Sequence, residues 1–160
     1  MTRETPMEPQ LTVVRAMMVV GLEVRTSNRD EMDRATARIP GIWGRFYRES
    51  VTEAVPGRTE TGGPLAVYSH YESDHTGPYS LLVGVEMVEG GTPTGMARVD
   101  VVEGRYLVFP ARGAMPQSVM DTWKAIWDYF ATNAHHERAY TTDFEQYRGA
   151  DVVDIHIAVK

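Results

Sequence analysis

The sequence predicts an α+β domain of two similar, pseudo-symmetric halves, each an antiparallel sheet backed by one helix, with a central ligand cleft where they meet. Three observations carry that expectation. Apolar and polar residues alternate through short segments separated by turn residues, as half-buried antiparallel strands require. Two stretches, around Trp43 and around Trp123, repeat large apolar residues at helical spacing instead. The run Gly90-Gly91-Thr92-Pro93-Thr94-Gly95 is the most linker-like in the chain, falls near its middle, and has the same order of elements on both sides. Identity between the halves, 11–89 and 97–160, is faint, so the repeat is read from the order of elements.

Residues 1–10 carry two prolines and mixed charge without periodicity and read as a flexible tail. Apolar segments 11–14 and 17–24, rich in Val and Met around Arg15-Ala16, suggest a tight hairpin or a bulged strand. Thr26, Ser27 and Asn28 offer N-cap side chains for a polar helix opening over 29–38, broken or kinked at Ile39-Pro40-Gly41 and resuming at Ile42. Trp43, Phe46 and Tyr47 then form an aromatic stripe, read first as core packing. After a Gly/Pro/Thr loop over 55–64, strands 65–71 and 79–89 form an antiparallel hairpin through a polar turn. The second half repeats the grammar: strands 97–102 and 105–111 as a hairpin around Glu103-Gly104, a helix over 117–131 behind Pro116, and strands 140–147 and 152–159 around Arg148-Gly149-Ala150-Asp151. Val119, Trp123, Ile126, Trp127 and Phe130 share one face of that helix, a core stripe first and a pocket wall second.

Composition narrows the chemistry. A chain of 160 residues, 42% hydrophobic, is long enough for one globular core without staples. It has no cysteine, which excludes structural disulfides, thiolate zinc sites and a cysteine nucleophile and fits a reducing, cytoplasmic setting. Arg15 and Glu23 interrupt the only long apolar run, so neither a cleavable leader nor a membrane span is expected. The formal charge of −6, without a Lys/Arg cluster, argues against nucleic acid as a partner and leaves a cation as the better match.

On the strand through Thr142-Asp143-Phe144-Glu145-Gln146-Tyr147, alternation puts Asp143, Glu145 and Tyr147 on one face and Phe144 and Gln146 on the other. Facing an apolar cavity, Glu145 would be a fixed anion among aromatic walls, an arrangement suited to an organic cation; facing solvent, it would be an ordinary edge-strand carboxylate. Other motifs point nowhere so specific. His135-His136-Glu137 are adjacent and lack a third ligand at a defined spacing, and His70 with Asp74 and His75 lies in a turn-like segment, so no metal is expected. Ser69 and Ser80 lack a nucleophile-elbow context, and Gly90-Gly91 precedes no helix that could cradle phosphate.

The stretches Ile39-Pro40-Gly41-Ile42-Trp43-Gly44-Arg45-Phe46, Ala66-Val67-Tyr68 and Gly77-Pro78-Tyr79-Ser80-Leu81-Leu82-Val83-Gly84-Val85-Glu86 resemble the GyrI-like family, which includes effector-binding domains of AraC- and MerR-type regulators. Gly104-Arg105-Tyr106-Leu107-Val108-Phe109 is similar to that family's Gly-x-Tyr-x-x-Phe strand, Thr122-Trp123 with Ile126-Trp127 to its second helix, and Asp143-Phe144-Glu145-Gln146-Tyr147 with Asp154-Ile155-His156-Ile157-Ala158-Val159-Lys160 to its ending. The resemblance runs over residues 11–160 in order. It implies a duplicated βαββ fold with an aromatic cleft and one central acid, here Glu145. It also implies effector binding, lipophilic cations included; some members stand alone, one inhibits DNA gyrase, and some hydrolyse strained cyclopropane compounds. The chain departs from the family in its short 148–151 loop and in His156, where a bulky apolar residue is common, and it has no segment left over for a helix-turn-helix.

Together these readings predict a stand-alone protein that binds a small, cationic, lipophilic effector or drug without a cofactor. Glu145 is its anionic anchor, and Tyr147, Tyr68, Tyr106, Trp43 and Trp123 are its candidate walls. Two rivals use the same residues differently: a hydrolase with Glu145 as base or nucleophile and Tyr147 as acid partner, and an interaction module for DNA gyrase or a regulator, supported only by the acidic charge.

Overall fold

A computed structural model describes residues 9–59, 62–132 and 135–160. Of the tail segment, 1–8 lies outside the described residues, and Gln10 already belongs to the first strand. In chain order the elements are β1 (Gln10–Val14), β2 (Met17–Thr26), α1 (Asn28–Glu31), α2 (Ile39–Arg48), α3 (Val51–Ala54), β3 (Leu65–Ser69), β4 (Tyr79–Met87), β5 (Ala97–Val101), β6 (Gly104–Arg112), α4 (Gln117–Thr132), β7 (Arg138–Gly149) and β8 (Val152–Val159). The architecture is α+β, but the strands form one eight-stranded antiparallel sheet in the order β1-β6-β8-β7-β3-β4-β2-β5, where the sequence predicts two sheets. The halves fuse because β3 and β7 pair directly, Ala66 opposite Glu145 and Tyr68 opposite Asp143.

The hairpin or bulged strand expected at 11–24 and the hairpin expected at 97–111 are also corrected. β1 pairs with β6 and β5 pairs with β2, so each short strand joins the opposite half. The links Arg15-Ala16 and Val102-Glu103 cross between halves and do not turn back. This exchange requires a rolled sheet. Five strand spacings separate β6 from β2, roughly 24 Å in a flat sheet, yet Val14, paired with Gly104, is three peptide units from Met17, a reach of at most about 11 Å. The roll is permitted at Gly21 and Gly84, which face each other across β2 and β4. A Cβ at Gly84 would sit 2.0 Å from the Val20 carbonyl oxygen.

Rolling produces two kinds of interior. Val19, Val99, Val101 and Tyr106, from strands near the two ends, pack inside the curl against Leu65, Val67 and Phe144 of the middle strands. Over the other face, α2 covers Val20, Tyr68, Leu81 and Val83, and α4 covers Leu107, Phe109, Val153 and Ile155. β3 is therefore buried on both faces throughout its length.

The helices refine the sequence reading. Ser27 accepts the Asp30 amide as predicted for an N-cap, but α1 lasts a single turn. Pro40 does not kink a continuing helix; it stands in the first turn of α2, where a missing N–H leaves no bond unmade. The free amides of Arg38 and Ile39 donate to the Glu31 carboxylate at 2.8 and 3.0 Å, so a side chain seven residues upstream caps this helix. The aromatic stripe divides in two. Ile42 and Phe46 enter the core, while Trp43 and Tyr47, each one position further round, remain outside it.

Candidate functional site

Residues of α2 and α4 bound a cavity of about 1210 Å³ whose other walls include Tyr68, Tyr79, Glu145 and Tyr147 from the sheet. Its width follows from the fold: two helices of separate halves cover their own strands, and β3 and β7, where the halves join, are left between them. Glu145 stands at this junction, only 3% exposed. Its cross-strand neighbours are Ala66 on one side and the fully buried Ile155 on the other, so no water or charge reaches it through the sheet.

The carboxylate is held from three elements. Tyr68 on β3 donates to Oε2 at 2.8 Å, Trp123 Nε1 on α4 donates to the same oxygen at 2.7 Å, and Tyr147 on β7 donates to Oε1 at 2.6 Å. All three donors are ring-borne, so the anion is satisfied by groups that also form apolar walls. Burial raises the Glu145 pKa above the ordinary carboxylate value, and the bonds from Tyr147, Trp123 and Tyr68 pull against that rise without cancelling it. Burial next to this carboxylate also pushes the Tyr68 and Tyr147 phenols upward, which keeps both hydroxyls as donors.

Five of the six predicted site residues therefore meet. Trp43 packs edge-on to Tyr147 at 4.8 Å and Trp123 edge-on to Tyr68 at 5.2 Å, so the two helices each set one indole against a tyrosine that holds Glu145. Tyr106 is elsewhere. It is buried inside the curl, donates to the Val102 carbonyl at 2.5 Å and accepts from Thr142 at 2.8 Å, and does not line the cavity. Residues along β6 alternate between faces, and Leu107, not Tyr106, points to the helix side.

Sequence reasoning missed several lining residues. Tyr47, Met32 and Met120 are 67%, 80% and 50% exposed and form an apolar rim. Their exposure is what departs from core packing, and spacing alone does not reveal it. Tyr71 joins the cavity because His70 takes a left-handed conformation (φ 51°) and ends the strand alternation one residue before it. Arg138 lies on the same wall, 5% exposed. It donates to Asp143 Oδ2 at 2.7 Å, Tyr71 donates to the same oxygen at 2.5 Å, and the Ala158 amide donates to Oδ1 at 2.9 Å. Of the unassigned histidines, His75 borders the cavity. Among the described residues no group of three or more His, Cys, Asp or Glu is arranged to hold a metal ion. No helix is long and apolar enough to cross a membrane, again among the described residues.

A family described as integron-associated effector binding protein matches residues 10–159. The crystal structure of an integron cassette protein from Vibrio cholerae is 37% identical, covers 96% of each chain and superposes with a TM-score of 0.83. YobU of Bacillus subtilis, a protein described as a transcriptional regulator, is 32% identical over 148 residues, 88% of this chain and 90% of its own. The structure of a protein named SAV2435 bound to tetraphenylphosphonium shares the fold, with a TM-score of 0.78 at 23% identity over 96% of this chain and 94% of that one.

Proposed function

The chain belongs to the integron-associated effector-binding proteins, a group with the GyrI-like fold, and from that premise we propose that it is a stand-alone receptor for lipophilic organic cations. The observation that carries this reading is the buried Glu145 carboxylate, held by three aromatic donors inside a cavity of about 1210 Å³. A buried carboxylate with no cationic partner and a burial-raised pKa gains most from a delocalised cation, which loses little hydration on entry and lies well against indole and phenol faces. Each such face contributes about 0.5–2 kcal/mol. An anionic ligand would meet repulsion at the same oxygen atoms. The methionine rim favours bulky, variable shapes, because thioether side chains repack readily. Residues 11–160 form the binding domain in this reading, and a βαββ unit used twice accounts for the order β6-β8-β7 beside β3-β4-β2. The absence of cysteine suits a reducing compartment.

Tetraphenylphosphonium is the probe of choice, since it is the cation seen in a protein of the same fold. Calorimetric titration should give saturable binding to the wild type. Glu145→Gln should weaken it by about 1.5–3 kcal/mol, the value of a charge-assisted contact. The variant can fold normally: a glutamine carbonyl can accept from Tyr68 and Trp123 while its amide donates to the Tyr147 hydroxyl. Equal affinity in the two proteins would remove Glu145 from the site. Saturable hydrolysis of a strained cyclopropane electrophile, lost in Glu145→Gln, would replace the receptor with the hydrolase.

A further inference from the structure

The charged side chains that line the cavity are Glu31, Lys124, Arg138, Glu145 and Arg148. Three of them are compensated within the protein. Glu31 caps the first amides of α2 and accepts the Thr26 hydroxyl, Arg138 pairs with Asp143 at 2.7 Å, and Arg148 pairs with Asp154 at 2.7 Å. The remaining two, Glu145 and Lys124, are of opposite sign, and they do not neutralise each other. Glu145 is bonded by Tyr68, Trp123 and Tyr147, and no cationic side chain shifts its pKa. Lys124 is exposed and makes no hydrogen bond or ion pair among the described residues. Its position on α4 sets it apart from an ordinary surface lysine. Met120, Trp123, Lys124 and Trp127 recur at helical spacing and all line the cavity, so the lysine stands in the middle of the cavity-facing stripe. Carboxylates one turn away do not claim it: Asp121 accepts from Gln117 at 2.7 Å, and Asp128 forms no ion pair with it. The facing stripe on α2, made of Ile39, Pro40, Trp43 and Tyr47, carries no charge. The cavity is therefore polarised, with an anion on the sheet and an uncompensated cation on the α4 wall.

We infer that Lys124 is a specificity-determining residue that receives an anionic arm of the ligand, so that the cavity holds lipophilic zwitterions best: a delocalised cation at Glu145 tethered to an anionic group that reaches α4. A lysine among Trp and Met side chains works against a ligand with positive charge at both ends and favours one whose second charge is negative, which is how opposed potentials select a partner. The arm needs no fixed length, because the ammonium is a point charge on a flexible four-carbon stem and has no fork geometry to satisfy. Lipophilic cations without the arm still enter, at lower affinity. This inference rests on the cation reading and adds the ligand class to it.

The test compares two probes of the same shape, (5-carboxypentyl)triphenylphosphonium, a zwitterion at neutral pH, and its primary amide, in which the arm is uncharged. In calorimetric titrations wild type should bind the carboxylate about fivefold more tightly than the amide, the upper end for an ion pair at an exposed lysine. Added salt should narrow that preference, which a purely steric difference between the arms would not do. Lys124→Gln should bring the ratio of the two affinities to about one, and Lys124→Glu should reverse it. Taking the ratio within each protein removes any general change in affinity. Gln and Glu are both good helix formers, and thermal denaturation of the variants checks folding. Equal affinities for the two probes in wild type, or a preference for the carboxylate that survives Lys124→Gln, would overturn the role of Lys124 and leave the Glu145 reading intact, since the amide still reports on cation binding. Failure of wild type to bind either the amide or tetraphenylphosphonium would overturn the cation reading and this inference with it.

Discussion

His156 and Glu145 show how burial acts oppositely on a base and an acid. His156 is 6% exposed, lies flat on Phe144 with ring centres 4.2 Å apart, and is held down to about 4 from its ordinary 6.5, mainly by burial. The unfolded chain then binds a proton that the folded chain refuses. Its contribution is complete above pH 6.5 and is lost as the pH falls toward 4, by roughly 3 kcal/mol at most. For Glu145 the folded value is raised, so its contribution is present below the ordinary carboxylate value and is lost as the pH rises. Urea denaturation between pH 4 and 7 should therefore show a loss of stability toward acid that His156→Phe reduces, since phenylalanine keeps the stacking and cannot titrate. An unchanged pH profile in that variant would show that His156 does not carry the effect. Cation binding should also weaken in acid, because protonated Glu145 offers no charge.

At the scale of an element, α2 shows that one helix can serve two surfaces. Phe46 is 2% exposed and lies in the core, whereas Trp43 is half-buried against Tyr147 at the cavity. Truncating them should have separable effects. Phe46→Ala should cost about 3–5 kcal/mol of stability, as a large buried ring leaves an unfilled space. Trp43→Ala should cost clearly less stability and show its main effect as weaker tetraphenylphosphonium binding, by about 0.5–2 kcal/mol for one lost aromatic face. Chemical denaturation and calorimetry on both variants check this. A Trp43→Ala protein as destabilised as Phe46→Ala, with ligand affinity unchanged, would place Trp43 in the core. The helix is oriented for this double use by Glu31, whose carboxylate joins the amides of Arg38 and Ile39 to the Thr26 hydroxyl of β2.

Across the whole molecule, the exchange of β1 and β5 between halves curls the sheet and turns its inner face into a core. Tyr106 and Thr142 fasten that curl, for Thr142 Oγ1 also accepts the Val102 amide at 3.0 Å on the link between β5 and β6. Tyr106→Phe should remove about 1–2 kcal/mol of stability by leaving buried partners unmet. It should leave tetraphenylphosphonium affinity unchanged, since Tyr106 lies on the face away from the cavity. A loss of affinity without a loss of stability would return this residue to the site.

What the sequence determined by itself was local and periodic. Alternation placed most strands, helical spacing placed α2 and α4, and the two-residue period of β7 put Asp143, Glu145 and Tyr147 on one face, because each depends on backbone geometry that neighbouring residues share. The order of motifs also carried the family. Tertiary structure decided what no local pattern encodes. Whether 11–14 returns to 17–24 or crosses to β6 depends on pairing between distant strands, and Arg15-Ala16 permits both. Trp43 and Phe46 share a stripe and Tyr106 an aromatic count, but their burial against core, cavity or curl is fixed only when the sheet rolls. Arg138 was invisible for the same reason: a register shift in β7 carries it onto the cavity wall, where it meets Asp143.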